Sequence, residues 1–193
     1  RAALVAKLKA DTRRLDLLLH DVLGDESPAL QKYRAQFAAS IDRSAPAQRM
    51  KREACVQEAA KARVVYCADN HATTGSQNVC LELLDAMLQD APATLVLEIA
   101  QVDQQPHLDA FCAGKIDVNE LETKLNWGFS FAGYARLLVR ARDKGVTLRA
   151  ANSAGTLKER DHVAGEIIAQ SLEKEPDRKV LVLFGKLHMG RKH

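Results

Sequence analysis

The segment VVYCADNHATTGSQNV, residues 64–79, decides the fold. A short, almost wholly apolar, β-branched run stops at Asp69, Asn70 and His71, and a helical pattern begins a few residues later. An apolar run without alternation predicts a strand covered on both faces, as in a parallel sheet. The theme recurs in TLVLEIA at 94–100, VTLRAAN at 146–152 and KVLVLFG at 179–185. Helical spacing separates these runs. Within 77–88 it is carried by Val79, Leu83, Leu84, Met87 and Leu88. Within 131–144 it is carried by Tyr134, Leu137, Leu138 and Ala141, with Gly145 as the stop, and within 160–172 by Val163, Ile167, Ile168 and Leu172. Strands alternating with helices predict an α/β fold, a mostly parallel central sheet flanked by helices and joined by right-handed crossovers.

Upstream, three helices are expected as an added N-terminal segment. The first carries Leu4, Leu8, Leu15, Leu18, Leu19 and Val22 and stops at Gly24. Pro28 opens a second through Leu30, Tyr33, Phe37 and Ile41, and a third spans 47–62. Alanine-rich helices dotted with Arg and Lys are packing helices with a solvated face, so they are assigned no chemistry and His20 is read as a bystander. The chain divides into a helical segment, 1–62, packing on an α/β core, 63–193. Because the chain starts at Arg1 and stops just past a strand pattern, it is expected to lack its natural start and some C-terminal elements.

Bulk properties exclude several classes. A chain of 193 residues fits one domain with a sizeable core. A net charge of +3, without a Lys/Arg stripe interleaved with aromatics, gives no reason to expect nucleic-acid binding. No apolar stretch reaches the ~18 residues of a membrane span. Cys55, Cys67, Cys80 and Cys112 form no CxxC pair, which excludes a zinc ribbon or a thioredoxin motif. They read as four buried, reduced side chains, which favours the cytoplasm. A removed N-terminal signal would make the protein membrane-associated instead.

In an open parallel sheet, ligands bind beyond the carboxyl ends of the strands. The first strand ends at Asp69, Asn70 and His71; the second contains Glu98 and is followed by Gln101, Asp103 and Gln105. The third ends at Asn152 and Ser153, the fourth at Gly185, Lys186, Leu187 and His188. Glu98 is the sharpest of these, since a carboxylate inside VLEIA must be paired, hydrogen-bonded or metal-bound. With His71 and His188 it forms either a general acid/base set or a ligand set for Zn, Mn or Fe. Arg160, at a helix start, is expected to clamp an anion, and Asp161 to cap that helix. His162 and His107 are read as structural. Trp127, Phe129, Phe131 and Tyr134 form an aromatic ligand wall or a packed loop.

Taken in order, these motifs resemble the ChaN-like haem-uptake family, within the superfamily of Tiki metalloproteases, TraB/PrgY proteins and erythromycin esterases. The matching features are the turn Ala68-Asp69-Asn70-His71, the strand Leu97-Glu98-Ile99 with Gln105 nearby, and the aromatic segment from Trp127 to Tyr134. Asn152 after the third strand, Arg160-Asp161 at a helix start and Gly185 to His188 complete the set. The resemblance covers about residues 54–193. Ala68 stands where the family has Gly, and Asp69 is one methylene shorter than Glu. The resemblance implies a ligand-binding protein for haem or iron, with cofactor contacts at Tyr134, Asn152 and Arg160, and a possible homo-oligomer. The alternative it implies is a metal-dependent peptidase or esterase with His71, Glu98 and His188 as catalytic residues and Asp69, His71, Glu98 and His188 around a divalent cation.

Overall fold

The computed structural model describes residues 50–71 and 73–189, with isolated helical positions at 7, 10, 28, 31, 32 and 35. Apart from those positions, the helices expected at 4–22 and 28–41, and His20, lie outside the described residues. By its internal contacts the chain separates into Arg1–Ile41 and Asp42–His193, and the candidate site lies in the second unit.

Four strands form one sheet: β1 Val64–Asp69, β2 Ala93–Gln101, β3 Thr147–Asn152 and β4 Lys179–Gly185. Their order is β1-β4-β2-β3 and every pairing is parallel. Among the described residues six helices flank them: α1 Arg52–Ala60, α2 Gly75–Met87, α3 Gln105–Cys112, α4 Val118–Leu125, α5 Ala132–Asp143 and α6 Leu157–Lys174. The steps β1 to β2 and β2 to β3 advance across the sheet, while β3 to β4 returns. Right-handed crossovers then put α6 on the face opposite the other helices. The cores agree. On one face Leu84, Met87, Phe111, Tyr134 and Leu138 pack with Leu95, Leu97, Leu181 and Leu183. On the other, Ala164 and Ile168 of α6 pack on Val96, Val180, Val182 and Phe184. Among the described helices none is long and apolar enough to cross a membrane.

The four strands lie within two residues of the expected runs. Central β2 and β4 are buried almost throughout, which is why they lack alternation. Edge strand β1 departs from the expectation of two covered faces: Val65, Cys67 and Asp69 point inward while Tyr66 and Ala68 are exposed. Helices α3 and α4 have no counterpart among the expected elements. Each is eight residues, too short for a clear period, yet α4 carries its own signals: Asp117 caps Asn119 and Glu120, Glu120 returns the bond, and Asn126 ends the helix at φ 47°. Two cysteines depart from the expected burial, since Cys55 and Cys112 lie exposed on helices while Cys67 and Cys80 are buried.

Two local features shape the carboxyl ends. Register passes from Leu97 opposite Ala150 to Gln101 opposite Asn152, so a bulge in β2 carries Glu98. At the far edge, Gln105 donates to Leu148 O at 3.0 Å and accepts from Ala150 N at 2.8 Å, so its amide stands in for a neighbouring strand. Gln105 is therefore an edge cap of β3.

Candidate functional site at the carboxyl edge of the sheet

Two half-sites rise from opposite faces of the sheet and meet over Gly185. The first is built on Asp69, whose inward parity on β1 buries its carboxylate. Gln77 of α2 donates to Asp69 Oδ1 at 2.6 Å, and Tyr134 of α5 donates its hydroxyl to Oδ2. Gln77 reaches Asp69 past Gly133, where a Cβ would stand 2.9 Å from Gln77 Oε1. His71 Nδ1 lies 2.8 Å from Asp69 Oδ2 and 3.1 Å from the Tyr134 oxygen. A carboxylate accepts, so this network places the ring proton on Nδ1 and leaves the Nε2 lone pair facing outward. Tyr134 is fully buried; burial, and then its bond to Asp69, push the phenol well above its ordinary value and keep it a donor. Trp127 stands edge-on to His71 at 5.1 Å between ring centres, and Phe129 lies tilted at the same distance.

The second half-site is built on Glu98. Its Oε1 takes Arg160 Nη2 at 2.7 Å and lies 3.2 Å from His188 Nε2. Its Oε2 takes the Gly185 N–H at 2.5 Å and lies 3.6 Å from His71 Nε2. Arg160 Nε also donates to Asn152 Oδ1 at 3.0 Å, and His188 Nδ1 bonds to Asp161. Burial opposes charge on Glu98, but the bonds from His188 and the Gly185 amide, with the charge of the His188 imidazole, hold the carboxyl at about 2. Burial also opposes charge on His188, and Glu98 and Asp161 outweigh it, so this imidazole sits above its ordinary value.

Asp69 and Gly185 are register partners on β1 and β4. A Cβ at Gly185 would lie 3.1 Å from both His71 Nε2 and Glu98 Oε2. Because the residue is glycine, the imidazole edge and the carboxylate can both close on this stretch of backbone.

The structure thus brings His71, Glu98 and His188 within reach of one another, with Asp69 and Tyr134 behind the first imidazole and Asn152 and Arg160 behind the carboxylate. Several expected roles change. Arg160 is bound to Glu98 and Asn152, so its charge is already matched inside the protein. Asp161 partners His188, because Thr156 and Glu159 form the cap of α6. His162 is exposed, 3.4 Å from Glu166, and Asp103 and Lys186 are exposed outside the cluster. Asp69, His71, Glu98 and His188 do not converge as a ligand set: Asp69 holds the Nδ1 edge of His71 while Glu98 faces its Nε2 edge. Among the described residues no group of three His, Cys, Asp or Glu side chains is disposed to hold a metal. Gln77 was not anticipated as a site residue, and Gly185 was noted only as the first residue of the G-x-x-H turn that ends at His188.

Residues 55–160, more than half of the chain, match the family described as Haem-binding uptake, Tiki superfamily, ChaN. The chain belongs to this family. Among solved structures, the type III effector HopBA1 aligns at a TM-score of 0.59 and 13% identity, over 75% of this chain and 77% of that one. ChaN of Campylobacter jejuni, solved with cofacially bound haem, aligns at 0.50 and 18%, over 72% and 76%. The C-terminal region of Pasteurella multocida toxin, described with a thiol-protease like catalytic triad, aligns at 0.52 and 18%, over 86% of this chain and 23% of that one. Likeness at these identities establishes a shared fold. No curated protein shows a significant match to the chain.

Proposed function

We propose that this ChaN-family chain carries a metal-independent acid–base site that hydrolyses a carboxylic ester or lactone. One observation carries the reading: two imidazole Nε2 atoms address one buried carboxylate, at 3.6 Å from His71 and 3.2 Å from His188, over a glycine whose missing side chain permits the approach. His71 keeps 20% of its side chain accessible, and a water hydrogen-bonded to its Nε2 lone pair is placed for general-base attack. His71 Nε2 takes one proton from the water as its oxygen bonds to the carbonyl carbon. His188 gives its Nε2 proton to the leaving oxygen as the old C–O bond breaks. The proton on His71 then passes by way of Glu98 to His188, which restores the starting state. Asp69 orients His71 for this, and Arg160 holds Glu98 in place. Arg160 also puts a fixed positive charge against Glu98, in the space a cation bound to that carboxylate needs, which argues against the metal-dependent version.

The test is turnover of a panel of activated esters by EDTA-dialysed protein, His71→Ala and Glu98→Gln. General acid–base groups contribute about 10²–10⁴-fold, so losses of that size are expected in both variants, with no effect of dialysis. Equal turnover in wild type and both variants would sink the reading.

A second reading, haem binding, is supported by family membership and by Phe129, which is 50% exposed beside His71. In that reading His71, with Nδ1 tied to Asp69, would hold the group through Nε2, and Phe129 and Trp127 would pack against it. The bound group supplies an iron centre for ligand exchange or electron transfer. Glu98 Oε2, 3.6 Å from the same Nε2, competes for that direction, so this reading stands second. Haemin titration tests it: a saturable Soret shift that disappears in His71→Ala supports it, and a shift that survives the substitution removes His71 as the ligand.

A further inference from the structure

His188 and Asp161 also line a second space. A pocket of about 230 Å³ opens between α6 and the outer face of β1 and β4. Its floor is Val182, Phe184, Ile168 and Ala164, all buried, and Tyr66, 57% exposed, forms one rim. Gly165 of α6 lines it as well, and a Cβ there would meet nothing within 4 Å. The walls are apolar except at the end where Asp161 and His188 stand. Among the described residues no Lys or Arg lines it, so it offers nothing to an anionic chain end. His188 is the hinge of the arrangement: Nε2 faces Glu98, Nδ1 faces Asp161, and its ring stands edge-on to Phe184 at 5.5 Å between centres.

We propose that this pocket receives the acyl chain of the ester, an unbranched saturated chain ending in methyl. The inference rests on the acid–base reading of the neighbouring cluster and names its substrate class. At about 30 Å³ for each water-sized group, the volume accepts roughly seven or eight methylenes. The chain enters past Tyr66 and lies along Val182 and Ile168. The polar end of the pocket, at His188, is the end that adjoins the carboxylate, so the carbonyl of a bound ester lies at the side from which His188 protonates a leaving oxygen.

The experiment compares para-nitrophenyl acetate, butyrate, octanoate and dodecanoate on wild type, Gly165→Leu and Tyr66→Ala. Transfer of a methylene from water is worth about 4-fold when complete and less in an open pocket, so kcat/KM is expected to rise about 100-fold from acetate to octanoate, then level off at dodecanoate. The isobutyl group introduced by Gly165→Leu fills the space from a helix position that tolerates it, and the octanoate-to-acetate ratio is expected to fall about tenfold or more. Tyr66→Ala removes only the rim and lowers the ratio a few-fold. A flat chain-length profile in wild type, or an unchanged ratio in Gly165→Leu, overturns the proposal. If wild type hydrolyses none of the esters, the acid–base reading fails by itself. The pocket is then judged by calorimetric binding of 1-octanol: binding weakened about tenfold in Gly165→Leu supports it, and equal binding by the two proteins overturns it.

Discussion

Replacing Glu98 with Gln removes one charge from the centre of the cluster and leaves Arg160 and His188 facing an amide. A carboxyl held at about 2, against an ordinary 4.5, corresponds to about 3 kcal/mol of native stability. Breaking a buried ion pair from one side costs about 3–5 kcal/mol, so the two routes agree. Because the folded value is depressed, this contribution is complete above about 4.5 and is lost as pH falls toward 2, at about 1.4 kcal/mol per pH unit. His188 acts in the opposite sense: its raised value stabilises the fold at low pH, and that part is lost as pH rises through its folded value, above the ordinary 6.5. The gap between wild type and Glu98→Gln is therefore greatest between about pH 4.5 and 6.5 and narrows on both sides. Urea unfolding followed by circular dichroism from about pH 3 to 8 measures it. A gap independent of pH, or below about 1 kcal/mol at pH 6, would refute the assignment of Glu98 as a buried charged hub.

Gly185→Ala adds a methyl 3.1 Å from both His71 Nε2 and Glu98 Oε2 at a backbone position without positive φ, so overpacking is expected to lower stability by about 1–3 kcal/mol. Turnover of any ester the wild type accepts is expected to fall about 100-fold as the methyl pushes His71 away from Glu98, and retention of both stability and activity would show that their close approach is not needed. Gly133→Ala gains up to about 1 kcal/mol of helix propensity, yet it drives Gln77 off Asp69 through a 2.9 Å clash, so differential scanning fluorimetry should show a net loss. Gln105→Ala strips two bonds from the edge of β3 and is expected to cost about 1–2 kcal/mol and to raise the aggregated fraction in size-exclusion chromatography.

The strands were legible because β2 and β4 lie in the sheet interior, where burial on both faces writes a continuous apolar run. The same rule overstated β1, since coverage of an edge strand depends on what packs beside it. Glu98 was conspicuous because a carboxylate in such a run needs partners. Which partners it finds was not local: Arg160 arrives from α6, Gly185 N–H from β4 and His188 from the turn beyond it. Asp161 looked like a cap because it follows a helix start, and only the packing of α6 on the sheet turns it toward His188.

By itself the amino-acid order determined the alternation of strand and helix, the parallel sense of the sheet and the polar residues waiting at the strand ends, because each follows from neighbours within a few residues. Tertiary structure alone decided that the third crossover returns across the opposite face. That return sets β4 between β1 and β2 and brings Asp69–His71 and Glu98–Arg160 to either side of Gly185. The close approach of His71 and Glu98 over Gly185 depends on three segments far apart in the chain, and no local pattern encodes a distance between them.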